Sequence, residues 1–261
     1  MTSDDARYGS AAALAARERL GVGVDGPLPD ILVAVEGTGQ IPVAILPLAD
    51  DVAGAYGRKQ EHPFIFVNSA HCTVRQRFTL AHEFAHHELR HRGSFDRVAD
   101  LAAGAGSPAE VQANYFAAEF LAPKNAVANW VEARDDDPAV LTTVVTLSHA
   151  FRVSASVALY RLARCRFLGP AAVRRLEDAI SRGEHTTLER RLALRESPDT
   201  MSQIVSYPRI PQMMLLNAAA VYENGLLSLV RLAELTGRSA RDLETEFTQM
   251  GLLPPNEEPD Y

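Results

Sequence analysis

His82 and His86 stand four residues apart in the run HEFAH, and Glu83 directly follows the first of them. On a helix, positions i and i+4 leave the same face, so two imidazoles at that spacing can meet one cation. Glu83 is rotated by about 100° from His82. It is too far round to share the ligand position, yet near enough to reach a water activated by the metal. Two nitrogen ligands and a carboxylate base one position along are the parts that zinc-assisted peptide hydrolysis needs. Zinc acidifies water, and the carboxylate takes the proton and later passes it on. The competing reading of HEFAH is a solvated helix face, with His87, Glu88 and His91 as further surface polar groups.

A catalytic zinc takes three protein ligands and leaves a fourth position open. His87 points about 100° away from His86, and His91 lies more than a turn beyond it, so neither fits easily as the third. Glu110, in SPAEVQANYFAAEFLAP, is the better candidate. Glu110, Asn114 and Ala117 share one helix face with Ala113 beside them, and the small alanines would let this helix approach the first one closely. Asn114 is then placed to orient Glu110 or a ligand histidine from behind. Taken alone, Glu110 also reads as a first-turn carboxylate favoured by the helix dipole. Glu119, flanked by Phe116, Phe120 and Leu121, is the rival ligand.

These residues need elements to hold them. Residues 1 to about 9 read as loose, and AAALAARERL (11–20) as a helix. DILVAVEGTGQ (30–40) is ambiguous between a strand and a short helix. IPVAILPL, AGAYGR and PFIFVN read as three short strands of a small, mostly antiparallel sheet, the last ending at Asn68 and Ser69. Residues 73–91 read as one helix with Phe78, Ala81, Ala85 and Leu89 along its apolar stripe. Residues 93–107 read as a connecting loop. Ser107 and Pro108 then supply a cap and an N1 proline for the helix carrying Glu110, which stops before Pro123. A third helix spans 124–134, and the charged break DDDPAV follows it. Two helices around FRVS (139–149 and 154–165) and a mixed, mostly helical stretch complete the chain.

The pair RFTLAHEFAHHELRH and EVQANYFAAEFLAP, in that order, resembles the ImmA/IrrE family of zinc metallopeptidases, and GQIPVAILPL, AGAYG and PFIFVN resemble its strands. The resemblance covers roughly residues 25–165. It implies that His82, His86 and Glu110 bind zinc and that Glu83 is the catalytic base. It also implies an α+β, zincin-like metallopeptidase domain with a small β-sheet, followed by mostly α-helical parts. The expected organisation is a zincin-like domain (1–135), a helix-turn-helix-like unit (136–169) and a helical C-terminal region of unassigned role (170–261). Relatives act on repressor proteins of the helix-turn-helix class and so relieve transcriptional repression. Ala85 replaces the family's usual glycine, and Phe120-Leu121-Ala122-Pro123 replaces LLMP; neither change touches a ligand.

The rest of the chain bounds the alternatives. A formal net charge of −7 disfavours nonspecific nucleic-acid binding by the whole surface. Arg161, Arg164 and Arg166 nevertheless give the helix-turn-helix-like unit a basic flank of the kind that contacts phosphates, so a DNA-binding regulator is one alternative. A zincin scaffold that binds a repressor without cutting it is another. The Met-rich RIPQMMLLNAAAVYENG reads as core. His71, Tyr56 and Tyr115 are candidates for a second oxyanion donor. Cys72 and Cys165 are the only cysteines, which suits a reducing compartment. No signal peptide or membrane-length apolar run is present, so cytoplasmic is the expected location.

Overall fold

The short apolar runs between residues 43 and 68 pair into one sheet. This computed structural model describes residues 3–49, 51–91, 94–97, 107–134, 136–194, 209–223, 225–249 and 251. Strands β1 (Val43–Leu46), β2 (Val52–Lys59), β3 (His62–Asn68) and β4 (Ser94–Arg97) lie in the order β1-β3-β2-β4. β2 runs antiparallel to β3 and to β4, whereas β1 is parallel to β3. Asn68 closes the last strand of the hairpin. Its amide donates to the Ala49 and Val52 carbonyls, and its Oδ1 accepts from Leu48 and Ala70 N–H.

β4 falls inside the stretch expected to be loop. Four residues are too few for alternation to show in a sequence. The strand exists because β2 offers an unpaired edge, with Ser94 opposite Tyr56 and Phe95 opposite Ala55. The rest of that stretch, apart from Ser107, lies outside the described residues.

The N-terminal segment also departs from expectation. Helix α1 spans Ser3–Arg19, so residues 3–9 are helical rather than loose. Asp4 and Asp5 complement the dipole of its first turn, and tertiary packing does the rest. Gly9 sits so close to helix α3 (Pro108–Leu121) that a β-carbon there would lie 2.2 Å from the Gln112 carbonyl oxygen. The ambiguous stretch resolves as a single π turn, Val33–Thr38.

Helix α2 (Thr73–Glu88) crosses under the sheet and packs on α3. Alanines 113 and 117 of α3 are fully buried, as close approach requires. Arg77 lies near the start of the buried part of α2. Its guanidinium donates to the Leu28 and Arg152 carbonyls at 3.2 Å each, and burial lowers its pKa to about 10. It therefore anchors α2 to two distant loops while keeping its charge at neutral pH.

Helix α4 (Lys124–Glu132) leads to α5 (Leu141–Phe151) and α6 (Ala155–Arg164), two helices joined by a tight turn. Arg152 turns left-handed between them, and Ser154 Oγ caps Val157 N–H at 3.2 Å. One apolar core runs unbroken from α1 through α6 to Leu176 of α7 (Pro170–Ser181); α8 (Glu184–Arg191) follows. Helices α9 (Gln212–Glu223), α10 (Leu229–Thr236) and α11 (Ala240–Gln249) close a second, smaller core around Leu215, Leu232, Leu243 and Phe247. Met214 of α9, expected in a core, is 52% exposed, because Leu215 takes the inward position. Among the described residues, no helix is long and apolar enough to cross a membrane.

Candidate metal centre

α2 and α3 bring His82, His86 and Glu110 to one point, with ligand atoms all within 4.8 Å of one another. His82 Nε2 lies 3.1 Å from His86 Nε2 and 3.1 Å from Glu110 Oε2, and His86 Nε2 lies 3.7 Å from Glu110 Oε1. Two nitrogens at zinc–nitrogen bond length on a tetrahedral ion are separated by roughly 3.3 Å. The trio has that spacing, and two imidazole nitrogens facing each other so closely suit a shared cation. The residues therefore fit a tetrahedral metal with one position left over.

Each ring is also held from behind. His82 Nδ1 lies 3.1 Å from Asn114 Oδ1, so Asn114 stands behind a histidine of the trio. An N–H at Nδ1 leaves the Nε2 lone pair facing the trio, as metal-binding histidines are usually held. Glu110 enters through the cap that the sequence announces: Ser107 is the N-cap, Pro108 is at N1, and Glu110 sits in the first turn.

Glu83 is fully buried beside this cluster. Its neighbour across the sheet is Gly54 of β2. A β-carbon at residue 54 would lie 2.9 Å from Glu83 Oε1, 2.8 Å from the Phe66 carbonyl oxygen and 2.5 Å from Thr79 Cγ2. Only glycine lets the strand pass this close to the carboxylate.

Glu119 is not in the cluster. Its Oε2 pairs with Arg161 at 2.8 Å, and its Oε1 accepts the Lys124 N–H at 2.8 Å, so it joins α3, α4 and α6 instead. Arg161 correspondingly is not part of a basic flank. It is buried at 1% exposure against that carboxylate, and Arg164 lies 4.1 Å over the Tyr115 ring. Tyr56 Oη contacts His87 Nδ1 at 3.2 Å. Burial raises the Tyr56 pKa and lowers that of His87, which keeps both groups neutral. Tyr56 and Tyr115 thus have partners away from the trio.

Besides Gly54, sequence reasoning missed Gln112 and Asp5, and it read His91 as a surface polar group or a poorly fitting third ligand rather than a support for His86. His91 Nδ1 lies 3.0 Å from His86 Nδ1, His91 Nε2 lies 3.0 Å from Gln112 Oε1, and Gln112 Nε2 donates to Asp5 Oδ1 at 2.8 Å. His91 reaches back because α2 ends earlier than expected, at Glu88. Arg90 adopts a left-handed conformation (φ 55°), its N–H bonds the His87 carbonyl, and His91 N–H bonds the His86 carbonyl at 2.9 Å. This is a Schellman close, which usually announces itself with glycine. Here arginine holds the position, so the sequence gives little warning.

A search of curated proteins finds no match to the chain. Residues 40–163 match the family model of the IrrE N-terminal-like domain, Peptidase M78, a segment that contains both histidines, Glu83 and Glu110. The match supports a metallopeptidase-type function, and over residues 40–163 the chain is similar to the ImmA/IrrE family.

Proposed function

We propose that the chain is a zinc-dependent endopeptidase that cleaves a regulatory protein of the helix-turn-helix repressor class in the cytoplasm. The observation that carries this reading is the convergence of His82, His86 and Glu110 at tetrahedral spacing, with a fully buried carboxylate one residue along. Burying an ionisable side chain is costly, and a module that only bound its partner would have no use for Glu83 there. The donor set of two imidazoles and one carboxylate suits zinc.

Held there, zinc supplies Lewis acidity that polarises a peptide carbonyl and lowers the pKa of water. Glu83 takes the proton from the attacking water and delivers it to the leaving amine. Asn114 fixes the His82 ring through Nδ1. The substrate is taken as an extended segment along β4. That strand ends the sheet order, and its register sets Asp96 opposite Gly54, the residue that abuts Glu83. Adding a strand to such an edge gives affinity through main-chain hydrogen bonds whatever the side chains. Unpaired thiols at Cys72 and Cys165 suit a reducing cytoplasm. The unit 136–169 packs on the peptidase core and commits Arg161 inward, which favours a structural or substrate-docking role over DNA binding.

The test compares wild type with Glu83→Gln on a denatured-proteome peptide library and on purified helix-turn-helix repressors, reading new N-termini by mass spectrometry. The expected result is about one zinc per chain in both proteins, with new termini produced by wild type alone. Equal cleavage by Glu83→Gln would remove the assigned base. Zinc bound with no cleavage by wild type would favour the scaffold that binds without cutting.

A further inference from the structure

We infer that the N-terminal helix α1 is part of the metal centre: Asp5, Gln112 and His91 form a hydrogen-bonded chain that fixes the orientation and tautomer of His86. This rests on the metal reading above. It extends that reading to residues of α1 outside the segment matched by the family model, which begins at residue 40.

The direction of the chain follows from its donors and acceptors. Asp5 as a carboxylate only accepts, so the Gln112 amide nitrogen faces it, at 2.8 Å. Gln112 Oε1 is thereby turned toward His91 and accepts the N–H of His91 Nε2, at 3.0 Å. A His91 ring carrying that one proton presents the lone pair of Nδ1 to His86, whose Nδ1–H donates to it at 3.0 Å. His86 is left with its Nε2 lone pair aimed at His82 Nε2 and Glu110. Each link permits only one polarity once the previous one is set. The carboxylate of the first turn of α1 therefore decides which nitrogen of His86 is free to bind a cation.

Two further features hold the chain in place. The close approach at Gly9 brings α1 against the Gln112 backbone, and the Schellman close folds His91 back over His86. His82 and His86 thus receive separate supports, one from Asn114 on α3 and the other reaching through α3 to α1. Asp5, Gln112 and His91 are positioning residues; none of them belongs to the metal-ligand trio.

The experiment measures zinc affinity of the full chain by competition with a chromophoric chelator, together with the visible absorption spectrum of the cobalt-substituted protein and the melting temperature of the metal-free protein. His91→Leu is expected to weaken zinc about 10- to 100-fold and to alter the cobalt spectrum. His91→Asn, whose Oδ1 restores an acceptor near the Nδ1 position, recovers most of that loss. Gln112→Leu and Asp5→Leu each weaken zinc by a few-fold, and Asp5→Leu adds nothing in the Gln112→Leu background, because the chain is already cut. Asp4→Asn, one residue away on the exposed side of α1, changes nothing. Zinc affinity in His91→Leu within about twofold of wild type overturns the inference. Equal losses in His91→Leu and His91→Asn, tracking a fall in metal-free stability, overturn it as well. A wild type that takes up no zinc overturns this inference and the peptidase reading together, whereas unchanged affinity in His91→Leu leaves the peptidase reading standing.

Discussion

Gly54 shows how much of a candidate site can depend on a side chain that is missing. The Glu83 carboxylate, the Thr79 methyl and the Phe66 carbonyl all crowd the place where a β-carbon would stand. Two of those neighbours belong to the packed α2–sheet interface and cannot give way cheaply. Gly54→Ala is expected to destabilise the fold by about 1–3 kcal/mol through overpacking. It should also push Glu83 out of line while leaving His82, His86 and Glu110 on their own helices. The outcome to look for is zinc retained by metal analysis, with cleavage down at least about tenfold, a barrier change of about 1.4 kcal/mol. Unchanged cleavage would show that β2 does not position the base. The HEFAH run was legible in the sequence because its spacing is local and periodic. Glu110 and Asn114 were legible because Ser107 and Pro108 fix where their helix begins. Gly54, His91, Gln112 and Asp5 were not, because their meaning comes from contacts across 21 to 107 positions of chain or from a helix end without its usual glycine.

Helices α3, α4 and α6 meet at a buried ion pair that decides between the two glutamates of α3. Glu110 sits in the first turn of α3 and faces α2; Glu119, nine positions on, faces α4 and α6. Both satisfy the sequence criteria for a ligand, since composition alone does not reveal which neighbouring helix each side chain meets. Arg161 looked like a phosphate contact for the same reason. Three partners now account for the Glu119 environment: Arg161, the Lys124 N–H and the more distant charge of Arg17. Arg161→Met strands the Glu119 carboxylate in the interior and is expected to cost about 3–5 kcal/mol, as breaking one side of a buried pair does. For a chain of this size that lowers the melting temperature by roughly 6–20 °C. Glu119→Ala should lose a comparable amount of stability yet keep its zinc, whereas Glu110→Ala should lose zinc with the smaller change in metal-free stability. Zinc loss on Glu119→Ala with zinc kept on Glu110→Ala would exchange their roles.

At the scale of the whole molecule, the question is how the second core is joined to the first. β1 ends the sheet on the side away from β4, and Arg209 adds to that edge. Its N–H donates to the Ile45 carbonyl, and Ile45 N–H donates to the Arg209 carbonyl at 2.8 Å. The side chain continues the contact: Nη1 donates to the Val43 carbonyl at 2.9 Å, and the guanidinium pairs with Glu36, whose Oε1 also accepts the Val43 N–H at 3.3 Å. Among the described residues, Arg209 thus covers an open strand edge, which is otherwise a template for unwanted pairing, and directly precedes Ile210, which packs against the second core. The sequence showed helical stretches on both sides of Arg209, but an isolated bridge has no period to read. Arg209→Glu reverses the charge opposite Glu36 and is expected to release this clasp. Because the Ile45 amide depends on Arg209 and not on β3, its hydrogen exchange should speed by at least about tenfold, the mark of a local opening rather than global unfolding. The Ile65 amide, which donates to the Pro42 carbonyl inside the sheet, should exchange as before, and zinc binding should be unchanged. Acceleration at both amides would mean that β1 itself depends on the clasp, so that the α9–α11 unit supports the sheet on which α2 packs. Acceleration at neither would mean that the backbone bridge holds without its side chain.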